Sequence, residues 1–172
     1  MDSHYKALPK LVYQTYSTSC WAAVFESWVD GIKPQRKSRP KQAELINNWD
    51  DLTFPDGSIV PSRLVDDLAP SYGMATEWIS ESSFTATYLA GKLSSFGQLV
   101  IGYNRGTQGG HVVVCYGVGR PKGSQQLVSV MDPSTTDGGY QNRELSKFKG
   151  ITSQSSKIFI GWPKPGLNPA YF

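Results

Sequence analysis

Between Cys20 and Asp30 the apolar side chains Trp21, Phe25, Trp28 and Val29 recur at i, i+4, i+7 and i+8, one face of a helix. Ser17, Thr18 and Ser19 offer N-cap side chains in front of this run, and Gly31 offers a stop behind it. The spacing therefore predicts a helix whose first turn contains Cys20. Shorter helical patterns cover Gln42 to Trp49, Pro61 to Leu68 and Phe84 to Phe96. From Gln98 the period changes: "QLVIGY", "HVVVCYGV", "QLVSVMD" and "KIFIGW" are short runs rich in Val and Ile, separated by Gly, Pro, Asn and Ser, and read as strands. Helices followed by strands without regular alternation predict an α+β fold, with a helical half over about 1–97 and a sheet half over about 98–172.

The 172 residues fit one domain, 1–172, in which the two halves flank a cleft, and no internal repeat divides them. A content of 39% hydrophobic and 18% charged residues is that of a globular chain. Five Trp suit a large core or an aromatic-walled cleft. The net charge of +3 is too mild to argue for nucleic acid. No stretch of about 18 apolar residues predicts a membrane span, and "MDSHYKALPK" lacks the regions of a signal peptide. The chain reads as a soluble monomer with no membrane partner, leaving its cell, if it does, by a route without a cleaved Sec signal. "KPQRKSRPKQ" (Lys33 to Gln42) reads as an exposed basic loop and "GVGRPKG" (Gly117 to Gly123) as a turn.

Two cysteines, Cys20 and Cys115, and two histidines, His4 and His111, limit the chemistry. A thiol reacts as its thiolate, which a helix N-terminus and a nearby imidazolium both favour. Cys20 meets the first condition by prediction. His111 is the better base, because it opens an apolar strand directly after Gly109 and Gly110, whereas His4 lies in the terminal segment. A base needs a partner for its other ring nitrogen. The strand from Leu127 ends at Asp132, before Pro133, where a neighbouring strand would set it beside His111; Asp137 and Asn142 are alternatives in the loop beyond. The backbone N–H of Cys20 offers one oxyanion donor, and Gln14, six residues earlier, offers a second.

Cys115 lies four residues along a strand from His111, roughly 13 Å at about 3.3 Å per residue, and reads as a packing residue, with a disulfide to Cys20 as the alternative. A zinc site from both Cys and both His lacks close ligand spacing, and the residues imply no cofactor.

Gln14 followed by Cys20-Trp21-Ala22, "GGHVVVCYGV" and "VSVMDP" together resemble the papain-like cysteine proteases. The interval from Cys20 to His111 is shorter than in the plant and lysosomal enzymes, Asp stands where those have Asn, and "STS" precedes the cysteine. Compact bacterial members look closer: effector proteases injected into plant cells, and peptidases that remove double-glycine leaders. The resemblance implies a papain-like fold and a peptidase that cleaves peptide or isopeptide bonds of a protein substrate. Its nucleophile would be Cys20, its base His111, its third member Asp132 and its oxyanion donor Gln14. A transglutaminase or deamidase with the same triad, and a non-catalytic module that grips a peptide, are the alternative readings.

Overall fold

A computed structural model of the chain describes residues 4–32, 39–105, 109–119, 125–149 and 157–165. The predicted nucleophile helix is α1 (Cys20–Ile32), and it is buried almost all round rather than on one face. Trp21, Phe25 and Trp28 are fully enclosed, each worth about 1.5–3 kcal/mol of burial. Its polar side is covered as well. The Ser27 hydroxyl donates to the Lys10 carbonyl at 2.6 Å, and Glu26 pairs with Lys10 at 2.9 Å and Lys41 at 3.3 Å. The helix also runs through Gly31 instead of stopping there. The side chain of Gln98 passes so close that a Cβ on Gly31 would lie 2.4 Å from its Oε1, so the glycine serves a close approach and not a cap.

α2 (Gln42–Asn48) packs on α1 through Leu45. The run that begins at Pro61 is longer than the sequence predicts: α3 (Pro61–Arg63) continues through a π turn (Leu64–Leu68) into α4 (Ala69–Ser71). Pro70 accounts for the π turn, since it lacks an N–H and its ring would clash with an α-helical carbonyl four residues back. α5 (Ala86–Phe96) is capped by Thr85, whose hydroxyl accepts from the Tyr88 N–H at 3.1 Å, and ends at Gly97.

Among the described residues seven strands form one sheet: β1 (His4–Tyr5), β2 (Met74–Ser80), β3 (Leu99–Asn104), β4 (Gly110–Gly119), β5 (Leu127–Asp132), β6 (Gly139–Glu144) and β7 (Lys157–Pro163). Their order is β2-β7-β3-β4-β5-β6, with β1 on β4 off this path, and every described pairing is antiparallel. The α+β architecture expected from the sequence is thus present. The boundary between its halves is less clean, because β2, from the first half, closes one edge of the sheet.

The two-residue period of the strands sets two faces. Val100, Val112, Val114, Met131 and Phe159 pack with α1. Leu99, Ile101, Tyr103, Val113, Cys115 and Val130 pack with α5 and Phe148. Cys20 and Cys115 therefore belong to different cores, and both thiols are free. Cys115 is fully buried, its thiol directed at the Gly117 carbonyl at 3.6 Å and pushed up to about 12 by burial. It is a packing residue. Most of the basic loop from Lys33 and of the turn to Gly123 lies outside the described residues; of the former, Arg39 pairs with Asp30 and Lys41 with Glu26.

Candidate active site

The chain before α1 is fastened on three sides, and this fixes where Cys20 stands. The Ser19 hydroxyl donates to the Tyr16 carbonyl at 3.1 Å and accepts from the Tyr16 N–H at 3.0 Å, tightening the turn rather than capping the helix. The Thr18 hydroxyl donates to the Asp56 carbonyl, and the Trp21 indole N–H donates to the Gly57 carbonyl at 2.9 Å. The Gln14 N–H donates to the Pro133 carbonyl at 2.8 Å, tying this segment to the residue after Asp132. The Ser19 carbonyl accepts from Ala22 and Ala23, so Cys20 and Trp21 carry N–H groups that a helix leaves without intrahelical partners.

Across the cleft, β3 and β4 form a hairpin in which Tyr103 is opposite His111. Gly109, at φ 77°, closes the hairpin by accepting from the Arg105 N–H at 2.9 Å, a conformation that costs glycine little. His111 is buried, and its ring meets Tyr103 edge-on at 5.9 Å. The His111 Nε2 lies 2.9 Å from Asp132 Oδ1. Asp132 is 0% exposed, and it also accepts from the Ser134 N–H at 2.8 Å and from Arg143 Nη2 at 2.5 Å. An ionised carboxylate can only accept, so the neutral ring carries its proton on Nε2 and donates it to Asp132 in a hydrogen bond, which leaves Nδ1 as the ring's acceptor.

Cys20, His111 and Gln14 line one cavity of about 820 Å³, while Asp132 sits beneath its wall. An apolar side of this cavity is made by Ile59, Leu64, Val65, Trp78 and Phe159. The remaining candidates fall elsewhere. Asp137 reaches the cavity but accepts from the Ser134 hydroxyl, and Asn142 accepts from Ser129. The backbone of His4 pairs with Val118, far along β4 from His111.

Electrostatics give the resting state. Burial pushes the Cys20 thiol up, and the N–H groups of Val112 and Trp21 and the charge of Arg105 only partly offset it. Burial likewise pushes His111 down, against the pull of Asp132. Both directions favour a neutral thiol and a neutral imidazole, whereas the sequence reading expects a thiolate at the helix start. Burial of both side chains, which disfavours their charged forms, is the physical reason. Asp132 is held below the usual carboxylate range: burial raises it, but His111, the Ser134 N–H and Arg143 together win.

Gln14 also differs in detail. Its Nε2 donates to the Ser17 carbonyl at 2.7 Å, and its carbonyl is the buried atom without a partner. An oxyanion donor is best served by a pinned carbonyl and a free amide; here the amide is engaged, and one of its two Nε2 hydrogens remains for a ligand. The residues that the sequence did not reveal are Arg143 and Tyr103. Arg143 Nη1 donates to the Tyr103 hydroxyl at 2.5 Å and its Nε to Gln141 Oε1 at 2.7 Å, so one guanidinium bridges three strands of the sheet.

A cysteine at a helix start and a carboxylate-held histidine on an antiparallel sheet line one cavity, within an α+β fold of the papain-like kind. Residues 3–150 match the family described as papain-like cysteine protease AvrRpt2, and the chain belongs to that family. It is therefore a hydrolase, a thiol protease acting on protein substrates. No match was found among curated proteins. Among the described residues no helix is long and apolar enough to cross a membrane.

Proposed function

We propose that this chain hydrolyses peptide bonds through Cys20, His111 and Asp132, by way of an acyl-enzyme on Cys20. The observation that carries the reading is the His111–Asp132 hydrogen bond at 2.9 Å in the wall of the cavity that Cys20 lines. His111 Nδ1 takes the thiol proton as Cys20 Sγ bonds to the substrate carbonyl carbon. The oxyanion is met by the Cys20 N–H and by Gln14 Nε2. His111 then passes its proton to the departing amine as the C–N bond breaks. Water attacks the thioester, gives a proton back through His111, and releases the acid with the thiol restored. Arg143 acts here as a positioning residue, since it touches Asp132 and not the reacting atoms. No metal or organic cofactor enters this scheme.

The effector role is part of the same reading, supported by the likeness of "VSVMDP" and the short Cys20 to His111 interval to the compact bacterial proteases. The test of the chemistry is labelling with a peptidyl epoxide near neutral pH, followed by peptide mapping. Cys20 is expected to carry the label, and Cys115, fully buried, is expected to stay unmodified. Label on Cys115 alone, or none on native protein, would refute the proposal.

A second expectation concerns Gln14. Gln14→Ala is expected to lower kcat by roughly 10²–10³ with little change in KM, the usual effect of losing one oxyanion donor. Steady-state kinetics on a cleaved peptide decide it; an unchanged kcat would leave the Cys20 N–H to act alone.

A further inference from the structure

The cleft carries a second arginine whose circumstances are the opposite of those of Arg143. Arg143 is neutralised by Asp132 at 2.5 Å. Arg105 lines the cavity beside Cys20 and His111, yet among the described residues no carboxylate forms an ion pair with it. It is half-buried, its Nε is shielded from solvent without a hydrogen-bond partner, and its other described neighbour is the Tyr103 hydroxyl, which Arg143 already occupies. Its charge reaches the reacting pair, opposing the rise of the Cys20 thiol and adding to the lowering of His111. Among the described residues the one carboxylate on the cavity lining, Asp137, is held by Ser134 at 2.7 Å. Lys157 adds a further positive charge to the same lining.

A planar fork of N–H donors, partly removed from water and lacking a counter-charge, matches a carboxylate. The side of the scissile bond follows from the hairpin. His111 protonates the leaving amine, so its ring covers the leaving-group side, and Arg105 is bonded to Gly109 of the same hairpin, two residues before His111. We infer that Arg105 is a specificity residue that selects substrates with an aspartate or glutamate within the first three positions after the cleaved bond. This inference rests on the proposed peptidase chemistry at Cys20.

The experiment is digestion of a proteome-derived peptide library by the wild-type chain and by Arg105→Lys, Arg105→Gln and Arg105→Glu, with Cys20→Ala as blank and mass spectrometry as readout. Wild type is expected to enrich Asp and Glu in those positions, Arg105→Lys to retain the preference, Arg105→Gln to lose it, and Arg105→Glu to exchange it for Lys and Arg. Matched peptides differing by Glu against Gln should show about a 10-fold ratio in kcat/KM for wild type, from one charge-assisted hydrogen bond, and a ratio near one for Arg105→Gln. Because the ratio compares two peptides on one enzyme, any general loss from the altered field at Cys20 and His111 cancels. Cleavage by Arg105→Glu with the wild-type residue frequencies, or Arg105-dependent acidic enrichment before the cut instead of after it, overturns the assignment. Absence of any Cys20-dependent cleavage by wild type is a different result, and it removes the peptidase reading itself.

Discussion

Cys20→Ala is expected to abolish turnover, by a factor on the order of 10⁶ in kcat, while the protein stays folded. The substitution removes one sulfur from a residue 8% exposed on the lining of a cavity, so little packing is lost and the cleft keeps its shape. Circular dichroism and the urea midpoint should therefore change little while cleavage disappears. His111→Ala is expected to be nearly as severe, because without it the thiol, which burial holds protonated, has no proton acceptor. The sharper expectation is for the pair. Groups that act in one proton-transfer unit are strongly non-additive, so the double substitution should be scarcely worse than either single one. Single-turnover rates on one peptide measure this. A double variant slower by the product of the two single losses would mean that Cys20 and His111 act independently, and the proposed chemistry would be wrong.

The parts of this arrangement that were legible in the sequence are those with strong local signals. Trp21, Phe25 and Trp28 announce the helix that carries Cys20, and "HVVVCYGV" announces β4 with His111 at its start, because burial against a core imposes a period on each segment. Asp132 was legible through Pro133, which ends the strand at a definite residue. Arg143 was not. It lies on β6, "GYQNRE", at the end of the sheet order, whose side chains carry no apolar alternation because most of them are only partly buried or exposed. Its contact with Asp132 is diagonal, since Asp132 is opposite Gly139 and Arg143 is opposite Val128, and such a reach depends on a register that local sequence does not encode. β2 escaped for a similar reason: "MATEWIS" is half-buried on both faces at the opposite edge. Protonation was the other blind spot. A helix start favours a thiolate, but how deeply the cleft desolvates Cys20 and His111 is a property of the assembled fold.

The His111–Asp132–Arg143 line carries the second large effect, and its sign can be worked out at each member. Asp132→Ala is expected to lower kcat by roughly 10²–10⁴, since His111 loses the group that sets its tautomer and orientation. It should also cost about 3–5 kcal/mol of stability, because Arg143, 17% exposed, is left with no carboxylate. Asp132→Asn separates the two consequences. Its carbonyl still accepts from His111 Nε2, while its amide N–H₂ faces the Arg143 guanidinium donor to donor, so activity should suffer less than stability. Adding Arg143→Leu to Asp132→Asn should then recover stability without restoring the full rate.

The titration of His111 gives a readout that a merely structural role for Arg143 would not move. Asp132 on β5 is hydrogen-bonded to the ring and Tyr103 on β3 meets it edge-on, the charges of Arg143 on β6 and Arg105 in the β3–β4 hairpin act on it, and Cys20 of α1 lines the same cavity. Burial sets the ring's value below that of the unfolded chain, about 6.5. The unfolded state thus binds the extra proton first, and stability falls as pH drops from roughly 6.5 towards the lowered folded value. Asp132 adds a loss of the same sign further into acid, because its pairing is present above the ordinary carboxylate value and disappears as pH falls through its own lowered value. Asp132 raises His111, and Arg143 lowers it. Asp132→Ala should therefore move the His111 titration to lower pH, and Arg143→Leu should move it to higher pH. With two histidines in the chain, ring resonances followed by NMR in the Cys20→Ala background can report both shifts without requiring turnover. Shifts in the same direction for both variants would mean that Arg143 supports the fold but does not set the charge on the base.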